Sequence, residues 1–232
     1  MVLLHGFGLS PRTYRKTAVE LAERAGVLVA APWLFAVDGP WSHERATAAL
    51  VAMLDAHGWD RVSLVGHSFG GGLQLELAAR HPGRVAELVF VDTLALTHSW
   101  GLAHEALRPT TFLRLASAPA LASFARSAAS HPLQLARAAW WGFVSDRDGH
   151  AQAVRQARIP AHVLWAERDT LLSRRDGRAF ANTLGATFTV ARAGAGRGPI
   201  DHDWMYRHPG LFVDHLCEVG LAVTDGRCAA SS

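Results

Sequence analysis

Cysteine is scarce in this chain: two residues among 232, Cys217 and Cys228, both near the C-terminus. They form neither a disulfide framework nor a paired C-x-x-C metal site, so the expectation is a protein of a reducing compartment. Lysine is scarcer still. Lys16 is the only one, and the net charge of +3 rests on arginines spread along the chain. With no basic run and no interleaved aromatics, nucleic-acid binding finds no support. Long apolar runs are missing too: the longest, near Val27–Val37, is too short to span a bilayer and contains Pro32. No secretory leader is visible, which makes the cytoplasm the expected location. The 13 histidines include no H-E-x-x-H arrangement, and neither a metal nor a cofactor is expected. What remains is 50% hydrophobic and 19% charged, enough for one domain with a sizeable core, or one domain carrying an insertion.

The most informative stretch is Gly66-His67-Ser68-Phe69-Gly70. Before it, Arg61–Val65 alternates and then runs apolar, as a buried parallel strand does. After it, Leu73–Ala79 resumes at helical period and stops before His81-Pro82-Gly83. A serine on so tight a strand-to-helix turn is forced outward. The glycines let the backbone pass without a Cβ clash, and the helix start presents free N–H groups to a developing oxyanion. This is the pattern of a nucleophile elbow, with Ser68 as the nucleophile.

Strand and helix patterns alternate along the rest, predicting a mostly parallel α/β sheet with helices on both faces. Strands are predicted at Val2–Leu4, Val27–Ala31, Val85–Val91, Ala161–Ala166 and Thr187–Ala191. Helices are predicted from Ser10 or Pro11 to Arg24, from Ser42 to His57-Gly58, over Arg174–Leu184 and over Pro209–Val219. Residues 96–158 break the rhythm: Ala-rich and helical in pattern, with stops predicted at Pro109, Pro119 and Pro132 and aromatics at Trp140, Trp141 and Phe143. The division expected is a core of 1–95 and 159–223, a helical cap of 96–158 and a disordered tail of 224–232.

This order of elements, with the serine elbow, resembles the α/β-hydrolase fold superfamily, in its serine-nucleophile, esterase- and lipase-like branch, over nearly the whole chain. The resemblance implies that the acid follows the apolar strand Ala161–Ala166, where Asp169 stands, although Ala166 occupies a place where glycine is usual. Asp92, just past the preceding strand, is the rival; Asp176 suits a helix surface. It implies His202 as the base, with Trp204 close behind and Pro209 seven residues on, a spacing that His208 and His215 lack. Asp201 stands where glycine is common before that histidine, and Asp201 and Asp203 are expected to raise its pKa. His5-Gly6-Phe7-Gly8 takes the place of the oxyanion loop, so the donors implied are the backbone N–H groups of Phe7 and Phe69, with His5 structural. Trp140, Trp141 and Phe143 are candidate acyl-pocket residues, with ordinary core packing as the alternative.

The activity implied is hydrolysis of a small carboxylic ester or related acyl substrate through a Ser68 acyl-enzyme, with no cofactor. The alternatives are a non-catalytic ligand-binding protein of the same fold, and a peptidase or C–C hydrolase. A peptidase would need a cap carboxylate such as Glu105, Asp146 or Asp148. The first two strands of the family order have no counterpart here, which leaves Val27–Ala31 as an apolar edge. A truncated reading frame is the expectation from that edge, and a homodimer through it the alternative.

Overall fold

The computed structural model describes residues 1–94, 118–194 and 198–219, with the side chain of Phe143 outside that description. Five strands form one parallel sheet in chain order: β1 (Val2–Leu4), β2 (Val62–His67), β3 (Val85–Val91), β4 (Ala161–Ala166) and β5 (Thr187–Ala191). The register aligns their carboxyl ends, with Leu4 opposite Gly66, His67 opposite Val91, Val91 opposite Leu164, and Ala166 opposite Ala191. Every loop that leaves the sheet at this edge is therefore placed beside its neighbours.

Period-two alternation splits the core in two. On one face, Val2, Leu4, Leu64, Leu88, Phe90, Val163 and Trp165 join buried residues of α2 (His43–Ala56), α3 (Phe69–Arg80) and α7 (Arg174–Leu184). On the other, Leu3, Val65, Val89, Val91, Leu164 and Ala166 join α1 (Arg15–Ala25), α8 (Trp204–Arg207) and α9 (Pro209–Glu218). The sheet is thus covered on both sides, as its near-continuous apolar strands require.

The predicted strand at Val27–Ala31 is reduced to one bridge, Val2 with Ala30. Ala30 accepts from Leu3 N–H at 2.8 Å and donates to the Met1 carbonyl at 3.1 Å. Pro32 has no N–H to continue the ladder, and the facing strand is three residues long. The chain thus leaves β1 outward to Ala30 and crosses back to form β2 on the other side. Such a reversal opens a crevice at the carboxyl ends of the two strands.

Within the expected cap, residues 95–117, including Pro109, lie outside the described residues. Beyond them come α4 (Ala118–Ser130), α5 (Pro132–Val144) and α6 (Arg147–Gln156). Pro119 and Pro132 open helices rather than stop them, because first-turn N–H groups have no intrahelical acceptor to lose. Helix α6 packs against α3 and α7, and so lies in the helical layer on that face of the sheet. The tail expected at 224–232 is outside the described residues. The expectation of two reduced thiols is not met: Cys217 on α9 is disulfide-bonded. No helix among the described residues is long and apolar enough to cross a membrane.

Phe180 of α7 is fully buried and meets Phe90 edge-on at 5.0 Å, joining helix to sheet. Phe180→Ala should lower the unfolding free energy by about 3–5 kcal/mol in urea melts. Trp140→Ala, at a residue that is 65% exposed, should change it by less than about 0.5 kcal/mol.

Candidate active site

Ser68 sits between β2 and α3 with φ 52° and ψ −116°, a backbone conformation that few residues other than glycine adopt. Such strain costs on the order of 1–3 kcal/mol and persists only where surroundings enforce it. Here they do. Ser68 N–H donates to the Val91 carbonyl at 3.0 Å, and the Ser68 carbonyl accepts from Gly71 N–H at 3.1 Å. A Cβ on Gly70 would lie 2.4 Å from the Leu4 carbonyl oxygen, so only glycine allows α3 to start this close to β1.

The loops after β4 and β5 bring Asp169 and His202 together. Nδ1 of His202 lies 2.9 Å from Oδ2 of Asp169, while Oδ1 of Asp169 accepts the N–H groups of Leu171 (2.8 Å) and Leu172 (2.7 Å). Burial alone would lower the His202 imidazole. The Asp169 carboxylate, by charge and hydrogen bond, outweighs burial and holds the pKa up at about 9. Burial works the other way on Asp169, but His202 and the two N–H donors hold its carboxyl below the usual range. Asp201 adds to the rise at His202, and its Oδ1 accepts both His202 N–H (2.7 Å) and Thr170 N–H (2.9 Å), tying the two loops together. Asp203 instead pairs with Arg207 at 3.1 Å. Glu167 braces the same loop, accepting from Ala193 and Ile200 N–H at 3.1 and 3.3 Å.

Asp92 does not hydrogen-bond the imidazole. Its oxygens accept from Ala166 N–H at 2.7 Å and from Trp204 Nε1–H at 2.6 Å. Burial, and then the Asp169 charge, push its pKa well above the carboxylate range. Of two neighbouring buried carboxyls, the one beside the imidazole is held down and the other is pushed up. His67, Asp92 and His202 offer atoms within 4.8 Å of one another. The His67 nitrogens and the Asp92 oxygens are already bonded to protein groups, so the cluster is a hydrogen-bonded network and not a ready set of metal ligands.

Phe7, on the loop after β1, and Phe69, the first residue of α3, have their rings 5.7 Å apart. His5 braces that loop, its Nδ1–H donating to the Gly6 carbonyl (2.9 Å) and its Nε2 accepting Leu34 N–H (3.1 Å). Trp141 stacks on His43 at 5.9 Å, and His43 meets Phe69 edge-on at 6.0 Å, so Trp141 is linked to the elbow through one ring. Trp140 is largely exposed and joins none of these ring contacts. Two residues received no role from the sequence. Tyr14 and His67 are buried between the serine and histidine loops, and nothing in their spacing announced a pairing 53 residues apart.

The sequence profile of the alpha/beta hydrolase fold matches residues 1–137, more than half of the chain. The chain belongs to that family. A lipase from Mycobacterium tuberculosis, LipV, is 36% identical over 97 residues, which is 40% of this chain and 36% of the lipase. A 2-hydroxymuconate semialdehyde hydrolase from Pseudomonas putida is 43% identical over 72 residues, covering 28% of this chain and 26% of that one. The matches thus span about a third or less of those relatives. Among solved structures, a bromoperoxidase from Bacillus anthracis superposes with a TM-score of 0.74 at 17% identity, covering 94% of this chain and 90% of that one. That likeness is one of fold.

Two neighbouring glycines at the start of α3 make a useful contrast. Gly70→Ala pushes a methyl into backbone carbonyls and should cost about 1–3 kcal/mol or more. A Cβ at Gly72 meets nothing within 4 Å, so Gly72→Ala should stabilise α3 by about 0.5–1 kcal/mol. Thermal melts of the two variants read this directly.

Proposed function

We propose that this alpha/beta hydrolase is a serine hydrolase acting on a small carboxylic ester or a related acyl substrate. The observation that carries the reading is the His202–Asp169 pair, 2.9 Å apart and buried at the carboxyl edge of the sheet, where Ser68 sits strained at the turn. Neutral His202 takes the Ser68 hydroxyl proton as the oxygen attacks the substrate carbonyl. Asp169 accepts Nδ1–H, fixes the tautomer that leaves Nε2 free, and stabilises the imidazolium. The N–H groups of Phe7 and Phe69 receive the oxyanion. His202 then gives its proton to the departing alcohol, and water repeats the cycle on the acyl-enzyme. A peptidase reading loses one of its candidate carboxylates, because Asp146 is occupied in capping α6 through Gly149 N–H at 2.9 Å.

The test is labelling by a fluorophosphonate probe. Wild type should label, and folded Ser68→Ala and His202→Ala should not. A folded wild type that resists the probe would make the chain a non-catalytic binder of this fold.

The raised pKa of His202 sets the pH dependence. Only the neutral imidazole accepts a proton, so kcat/KM should climb through neutral pH with a midpoint near 9. Asp169→Asn removes the charge that raises the group, so burial should carry the midpoint to lower pH. The plateau should also fall, by about 10³–10⁴-fold from the lost tautomer control. Ester turnover from pH 5 to 10 measures both effects.

A further inference from the structure

We propose that Tyr14 and His67 are positioning residues, forming a hydrogen-bonded strut that sets the oxyanion loop, the nucleophile turn and the His202 backbone relative to one another. The proposal rests on the serine-hydrolase reading above. Gly6 N–H lies 3.1 Å from the Tyr14 hydroxyl, which lies 2.6 Å from His67 Nδ1, and His67 Nε2 lies 2.8 Å from the His202 carbonyl. Each end adjoins a working group: Gly6 precedes Phe7, His67 precedes Ser68, and His202 is the base itself. The links join residues 8, 53 and 135 positions apart, so no local turn explains them.

The proton positions are forced. A carbonyl only accepts, so His67 carries its hydrogen on Nε2 and donates to His202. Burial holds His67 down at about 3, so the ring is neutral and Nδ1 is a bare acceptor. The Tyr14 hydroxyl must then donate to Nδ1 and accept from Gly6 N–H. Tyr14 and His67 are both almost wholly buried, so water does not compete for these bonds. Without the Tyr14 hydroxyl, His67 Nδ1 loses its donor and Gly6 N–H its acceptor, both in a buried place. The link from the oxyanion loop to His67 is then cut, and the ring is held only through its bond to the His202 carbonyl. There is also no slack for a larger residue at the near end, because a Cβ on Gly6 would stand 3.2 Å from His67 Nδ1 and 3.3 Å from the Tyr14 hydroxyl.

Tyr14→Phe is the decisive variant. It keeps the ring, with its edge-on contact to Tyr206 at 5.2 Å, and deletes only the hydroxyl. A residue that merely fills space would leave kcat unchanged. A positioning residue should lower kcat for p-nitrophenyl acetate by about 10–100-fold with KM within about twofold, since sub-ångström misplacement acts on the reacting geometry. The fluorophosphonate labelling rate should fall in parallel. His67→Gln, which keeps a donor for the His202 carbonyl, should retain more activity than His67→Leu. In ¹⁵N-histidine NMR spectra, His67 should show the Nε2–H tautomer, and the His202 signals should shift in Tyr14→Phe.

Wild-type kcat and unmoved His202 signals in folded Tyr14→Phe would overturn the proposal. If wild type itself fails to label, the hydrolase reading falls. Shifted His202 signals would then still support the strut, and unshifted ones would reject it too.

Discussion

The structure depends on how closely α3 passes beneath the end of β1. Where a Cβ on Gly70 would press on the carbonyls of Leu4 and His5, no side chain fits, and the helix begins one residue after the serine. That approach holds Ser68 at positive φ and presents the first turn of α3 beside Phe7. It also brings His67 within reach of Tyr14 on one side and of the His202 loop on the other. Gln74 completes the anchoring, its amide donating to the Val89 carbonyl at 2.8 Å and fixing α3 against the sheet. Strain at the serine is thus maintained by rigid backbone on three sides, not by the serine itself.

Electrostatics complete the arrangement. Two carboxyl groups lie near one imidazole, and their different partners give them different states. Asp169 has the imidazole and two N–H donors and stays ionised, whereas Asp92 has one amide, one indole and deep burial and is driven toward the neutral form. Asp92 ties β4 to Trp204 through the two hydrogen bonds its oxygens accept. Asp201 holds the loops together from outside, so the histidine is fixed at its backbone as well as at its ring.

Much of this was legible beforehand, for identifiable reasons. The strands Val85–Val91, Ala161–Ala166 and Thr187–Ala191 and the helix Arg174–Leu184 match the sequence reading residue for residue, because their periodicity is bounded by turn residues. Ser68 was legible because an elbow needs glycines at set offsets, and those are local. The edge segment at 27–31 was over-read: its apolar run is strand-like, but a ladder needs a partner, and only Ala30 finds one. Pro119 and Pro132 were misread because proline both ends a helix and opens the next, and the local pattern does not distinguish the two. The choice between Asp169 and Asp92 rested on a family pattern. In space the hydrogen bonds distinguish them.

By itself, then, the sequence determined the features that obey short-range rules: alternation of strands and helices, two apolar faces on the sheet, and a serine on a tight strand-to-helix turn. Only the tertiary structure decided which histidine meets which carboxylate, which of two buried acids has its pKa raised and which lowered, and that Tyr14 and His67 join the loops. Those outcomes depend on distances between residues tens to more than a hundred positions apart. Such distances are set by parallel register and by the close passage of α3 under β1, and no local pattern of residue types encodes them.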